Sequence, residues 1–203
     1  QIAFEQVATL EWSSERAQAR MDNLIAANYA GGLKLHAVLC SNDSTALGVT
    51  NSLIGAGFTK EEFPLITGQD CDIANTKNII AGYQAMSVFK DTRTLAEQVV
   101  KMVQAIVNGE EPEVNDTETY FNGVFVVPTY LCEPVFADIN NYEELLIESG
   151  YYTREQLGLQ AFSFRNHDGE WVLHPFARLG FRRVTIGQEI TGDALNHQGV
   201  SWC

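Results

Sequence analysis

Nowhere in the 203 residues does an apolar run approach the roughly 18 residues needed to cross a bilayer, which argues against a membrane-embedded chain. Basic residues are scarce: 13 Lys and Arg stand against 26 Asp and Glu, for a formal charge of −13. A surface of that sign repels a phosphate backbone, so nucleic acid is not expected as a partner. The four cysteines, Cys40, Cys71, Cys132 and Cys203, are too few for a disulfide scaffold and too far apart for zinc-ligand pairs. Three of the four histidines, His167, His174 and His197, are spaced too irregularly for a metal centre, so neither metal nor cofactor is expected. An initiator Met is also lacking, as are the basic and apolar segments of a signal peptide, and the expectation is that a preceding segment is absent from this sequence.

What is present is globular in composition, 45% hydrophobic and 19% charged, with length for one to two domains. Charge is unevenly spread: residues 1–157 carry 9 Lys/Arg against 22 Asp/Glu, whereas 158–203 carry 4 of each. A boundary is therefore set near Gly158, beyond which the tail reads as different material. Before it, short apolar runs alternate with amphipathic stretches, the pattern of β-α units in a parallel sheet. The expected order is strand Ile2–Leu10, helix Ser13–Ala30, strand His36–Cys40, a helix from Ser41–Ser44 to about Ala56, strand Pro64–Gly68, and helix Ile73–Ala81. Strand Ala85–Lys90 follows, then a helix over Thr92–Asn108 with the stripe Leu95, Val99, Met102, Val103 and Ile106. A polar loop, a strand at Val124–Val127 and a short helix at Asn140–Glu148 complete the reading.

In open parallel sheets, ligands bind outside the carboxyl ends of the strands, where loops and helix N-termini converge. Trp12, Asn42, Asp70 and Lys90 fall at such ends. Each has a plain structural reading too: Asn42 or Asp43, and Asp70 or Asp72, as helix caps, Trp12 as core, Lys90 as a solvated strand end. Together, an amide, a carboxylate, an ammonium and an indole suit a polyhydroxylated ligand. Paired hydrogen bonds meet vicinal hydroxyls, and an indole covers the apolar C–H face of a sugar ring.

The runs His36–Gly48 (HAVLCSNDSTALG), Ile66–Asp72 (ITGQDCD), Ile79–Gly82 (IIAG), Ser87–Arg93 (SVFKDTR), Glu113–Thr117 (EVNDT) and Ser149–Leu157 (SGYYTREQL) resemble the periplasmic sugar-binding proteins of ABC transporters. The xylose-binding and multiple-sugar-binding receptors are the nearest branch. The resemblance implies the type I periplasmic-binding-protein fold, α/β with a doubly wound parallel sheet in each of two lobes and sugar in the cleft between them. It implies that residues 1–90 are the sugar-binding second lobe, with the first lobe largely missing. Residues 91–123 would be a crossover whose helix belongs to that first lobe, 124–157 the return strand and end of the second lobe, and 158–203 a tail foreign to the family. Asn42, Asp70 and Trp12 would be the sugar-binding amide, carboxylate and stacking ring, with Lys90 a further polar contact.

The function so implied is capture of an aldose such as xylose, arabinose, glucose or galactose in the periplasm, without enzymatic activity. Delivery would be to an ABC transporter permease, with a chemoreceptor or sensor kinase as a further partner. A sugar-sensing domain of a transcription regulator is the alternative, and a glycosidase using Asp70 and Asp72 as acid and base a weaker one. Cys40 and Cys71 end two neighbouring strands, and free thiols are expected there ahead of a disulfide.

Overall fold

The computed structural model describes residues 8–29, 31, 33–159, 163–165 and 171–173. Helix α1, Ser14–Leu24, starts where the Ser13 side chain accepts from the Arg16 N–H, and it runs on into a π-helical turn, Ile25–Tyr29. Then come strand β1, Ala37–Val38, helix α2, Asp43–Gly55, strand β2, Leu65–Ile66, helix α3, Ile73–Ala81, strand β3, Met86–Phe89, and helix α4, Thr92–Asn108. The bounds of α3 and α4 coincide with those read from the sequence, α3 from the strand–turn–helix pattern and α4 from its apolar stripe. The expected first strand falls mostly on residues 1–7, outside the described residues, and Leu10 already begins a single 3-10 turn, Leu10–Trp12.

Among the described residues, three parallel passes run side by side. Ala37 faces Leu65 and Val38 faces Ile66 in the β1–β2 pair. Past Ile66 the same chain runs along β3: the Ala85 N–H donates to the Ile66 carbonyl (2.9 Å), the Val88 N–H to that of Gly68 (3.0 Å), and the Asp70 N–H to that of Val88 (2.8 Å). On its other side β3 takes strand β4, Val135–Asp138, in antiparallel register. The α/β architecture with parallel strands is as expected, and β4 adds one antiparallel strand beside β3. Strand β4 has a periodicity too short to read, its Val135 and Phe136 are exposed, and only Ala137 is deeply buried.

Two expectations change. Val124–Val127 forms no ladder; Val126 bridges Phe121, and Asp116 bridges Thr129, both antiparallel, so the acidic loop folds back on this run. The helix expected over Asn140–Glu148 is a π-helical turn, Glu143–Glu148. Beyond Gly158, β5, Ser163–Arg165, pairs antiparallel with β6, Trp171–Leu173. His167, His174, His197, Trp202 and Cys203 lie outside the described residues.

Among the described residues, two apolar clusters hold the fold. Met21, Ala46, Val49, Leu53 and Ile66 join α1 and α2 to the sheet, and Cys71, Phe89, Ala137, Tyr142, Leu146, Leu157 and Leu159 fill the space beside β3 and β4. Helix α1 lies directly on α2. A Cβ at Gly48 would overlap the Ser14 carbonyl oxygen, so only glycine permits this approach. Farther along, the Ser52 hydroxyl donates to the Asp22 carboxylate. The two helices therefore run in the same direction with their N-termini at one end of the molecule. Helix α4 is the exception to burial: Leu95, Val99, Val103 and Ile106 are exposed, and its one buried side chain is Gln98. Among the described residues no helix is long and apolar enough to cross a membrane.

Candidate functional site

Because β1, β2 and β3 run parallel, the residues that follow them emerge at one edge of the sheet, and these carry Asn42, Asp70 and Lys90. Asn42 is the N-cap of α2. Its Oδ1 accepts from the Thr45 N–H at 3.1 Å while the Thr45 hydroxyl receives the Asn42 N–H, a reciprocal box that fixes the side chain. Capping uses the oxygen of the amide and leaves its two Nδ2 donors without an acceptor among the described residues. The capping role and a ligand-donor role are thus compatible in one side chain.

Asp70 sits on a bend that β-strand geometry does not supply. Asp70 (φ 105°) and Cys71 (φ 56°) both adopt positive φ, a conformation that side-chain-bearing residues rarely take and that needs support from neighbours. The support comes from Ser87 on β3, whose Oγ accepts from the Cys71 N–H at 3.1 Å. The bend turns the Asp70 carboxylate toward Lys90, and the Nζ–Oδ1 distance is 3.1 Å. Both side chains stay about 40% exposed, Lys90 at 39% and Asp70 at 40%. At that exposure the pair contributes little to stability, at most about 1 kcal/mol, yet it presents an acceptor and a donor side by side.

Trp12 lies two residues before α1, with φ 47° and 61% of its surface exposed, so it is not a core residue. Since α1 and α2 start at the same end, Trp12 belongs to the same end of the molecule as Asn42. No side-chain hydrogen bond or cation–π contact joins it to Asn42, Asp70 or Lys90 among the described residues. The structure pairs two of the four expected site residues directly, Asp70 with Lys90, and sets the other two at the same end.

Beneath this edge lies a polar cluster that the sequence reading passed over. Asp43, treated there only as a cap, is completely buried. Its Oδ1 accepts from Ser87 Oγ (2.8 Å) and Gln84 Nε2 (3.0 Å), and its Oδ2 from the Asp72 N–H (2.8 Å). Asn75 Nδ2 donates to both the Asp43 carbonyl and Gln84 Oε1, each at 2.8 Å. A Cβ on Gly68 would collide with the carboxylate, so that position admits only glycine. Burial pushes the Asp43 carboxyl up to about 6; the Ser87, Gln84 and Asp72 hydrogen bonds oppose the rise, and the Asp72 charge adds to it. Asp72 is itself raised, by burial first and then by Asp70. The available signal was the pairing of Asp43 with the polar Gln84 and Ser87 inside otherwise apolar strand surroundings, which becomes a cluster only once β2 and β3 are paired.

Cys40, Cys71 and Cys132 are free thiols in this structure. Burial drives Cys40 and Cys71 up to about 12, so at neutral pH both are protonated and poor nucleophiles. Among the described residues no three His, Cys, Asp or Glu side chains are placed to share a metal ion. This end of the molecule carries a carboxylate, an ammonium, a free amide and an indole, groups able to hydrogen-bond or stack against a polar ligand.

Residues 2–111 match the periplasmic binding protein domain, more than half of the chain. The chain belongs to that family. It is 48% identical over 159 residues to the multiple sugar-binding periplasmic receptor ChvE of Rhizobium radiobacter, covering 77% of this chain and 45% of that protein. It is 34% identical over 146 residues to the D-xylose-binding periplasmic protein of Escherichia coli K12, covering 72% of this chain and 42% of that one. Among solved structures, an ABC transporter solute binding protein from Clostridium phytofermentans with bound β-D-glucose is 66% identical with a TM-score of 0.72, over 77% of this chain and 48% of that chain. The chain therefore spans about half the length of these relatives.

Proposed function

We propose that this chain supplies one wall of a monosaccharide site in a periplasmic receptor that delivers an aldose to an ABC transporter permease. The observation that supports it most is the half-exposed Asp70–Lys90 pair at 3.1 Å, at the sheet edge that also carries the free Nδ2 of Asn42. Asp70 accepts from sugar hydroxyls, Lys90 and Asn42 donate to them, and the Trp12 ring covers the C–H face. Sugars are neutral, so an ion pair that stays intact on binding avoids the cost of stranding a buried charge. A chemoreceptor or sensor kinase is a further receiver of the loaded form. The relatives named above are solute-binding receptors, which favours delivery over a sugar-sensing transcription regulator and over a glycosidase.

In this reading residues 1–90 and 124–157 build the second lobe, which holds the site, while α4 in the 91–123 segment crosses to the first lobe. The exposed stripe of α4 supports that assignment, since an amphipathic helix normally turns its apolar face inward. Calorimetric titration of the full-length protein with glucose, xylose, arabinose and galactose tests the function. Micromolar or tighter binding of at least one is expected. No heat with any of the four, together with hydrolysis of an aryl glycoside, would transfer the assignment to an enzyme.

A further inference from the structure

Asp43 is the least expected charge in the molecule: a carboxylate with no exposed surface and no cation among its hydrogen-bond partners. All three of its partners are donors, and each comes from a different piece of the site. Asp43 itself follows Asn42 at the start of α2, the Asp72 N–H belongs to the bend that carries Asp70, and Ser87 and Gln84 belong to β3 and the turn before it. Ser87 in turn receives the Cys71 N–H. We propose that Asp43 is the positioning residue of the sugar site, its carboxylate fastening the positive-φ bend bearing Asp70 to the helix end bearing Asn42. It rests on the sugar-binding reading above, and it assigns to Asp43 no contact with sugar.

The geometry requires an acceptor on both oxygens. An amide in the same place would set its NH2 against either the Asp72 N–H or Gln84 Nε2. Gln84 cannot turn its amide over without opposing Asn75 Nδ2. An ionised carboxylate meets all three donors with charge-assisted bonds, about twice as strong as neutral ones, and protonation forfeits that strength. The titratable groups facing Asp43 are Cys40 on its own loop, Cys71 and Asp72 on the bend, and Tyr152 from the C-terminal segment, with Asp70 beyond Asp72 and paired to Lys90. None of them supplies a compensating positive charge directly to Asp43. Burial places the carboxyl near 6, within reach of mild acid.

The test uses the full-length protein, glucose as probe, and two readouts. Glucose affinity is expected to fall roughly 3- to 10-fold between pH 7.5 and pH 5, as one charge-assisted set of bonds becomes neutral. The thermal midpoint is expected to rise over the same interval, because protonation relieves a buried charge, and a purely structural role would move the two together. In amide NMR spectra, the Asp72, Asp70 and Asn42 signals are expected to shift with one midpoint near 6. Asp43→Asn should flatten the affinity profile, whereas Asp72→Asn should keep the step. If Asp43→Asn does not fold, Ser87→Ala, which removes one donor to the anion, should move the midpoint upward. Glucose binding that is unchanged from pH 7.5 to 5, or Asp70 and Asn42 amides that ignore the Asp43 titration, would overturn the proposal. An intact amide step with no binding of any tested sugar would overturn the sugar reading and leave the latch standing.

Discussion

Asp43 and Asp70, two carboxylates of similar sequence context, are assigned opposite tasks by burial. Asp70 is reachable from solvent and paired with Lys90, and the proposed function makes it the acceptor for sugar hydroxyls. Asp70→Ala in the full-length protein is expected to lose on the order of 2 to 4 kcal/mol of binding, or about 30- to 1000-fold, measured by calorimetry. Unchanged affinity would remove Asp70 from the site. Asp43 controls stability as well as geometry. Its folded value near 6, against an ordinary 3.8, means that the folded state holds more protons than the unfolded state between those limits. Stability from this group is full below about pH 4 and is lost as the pH rises through 6, a difference of at most about 3 kcal/mol. Asp72 is shifted the same way. Asp91 and Asp116 are shifted down, by the Arg93 side chain and by the Thr119 N–H respectively, and both are half-buried, so their losses fall at lower pH. Urea titrations should therefore find the wild type more stable at pH 5 than at pH 7.5, and a flat or inverted profile would contradict the assignment.

At the scale of elements, the C-terminal edge of the fold and helix α4 carry the sharpest expectations. Leu159 is 7% exposed and packs in the same cluster as Leu157, Leu146 and Phe89, with its N–H bonded to the Arg154 carbonyl at 2.8 Å. A cut placed at the charge break, after Leu157, takes Leu159 with it. Removing residues 160–203 is expected to leave the thermal midpoint of the full-length protein and its sugar affinity essentially unchanged. Removing 158–203 should cost about 2 kcal/mol, the usual penalty for emptying a buried leucine site. Equal, large losses from both cuts would make the tail part of the fold. Helix α4 is amphipathic in the sense opposite to its surroundings: the apolar stripe faces solvent, while Arg93 ties its first turn to the Ser149 carbonyl and stacks over Tyr151. Those contacts orient the helix without covering its stripe.

For the molecule as a whole, Val99, Val103 and Ile106 on α4 and Phe121, Val124 and Phe125 on the folded-back loop are large apolar side chains left exposed, and exposed apolar surface favours association. The 203-residue chain expressed by itself is expected to self-associate despite its charge of −13, and, on the proposed reading that it supplies one wall of the site, to bind glucose no tighter than about millimolar. Light scattering beside a glucose titration reads both. Substituting Val99, Val103 and Ile106 by Gln should restore a monomer without changing the Asp70–Lys90 geometry. A monodisperse wild-type chain with micromolar affinity would show that the cleft is complete within these residues.

Local sequence determined what depends on near neighbours. Helix α3 could be bounded from the strand–turn–helix pattern and α4 from its apolar stripe, and Asn42, Asp70 and Lys90 could be placed at strand ends, because period and punctuation act over a few residues. The resemblance to sugar-binding receptors, too, lay in contiguous runs. Strand β4 and the antiparallel turn of the sheet were not legible, since four residues of weak alternation acquire a partner only when β3 is beside them. Nor was the role of Asp43: its sequence neighbours make it a cap, and only the pairing of β2 with β3 brings Ser87, Gln84 and the Asp72 N–H, 29 to 44 residues away, around one buried carboxylate. Tertiary structure decided burial, and burial determined which carboxylate could meet a ligand and which could hold the site in place.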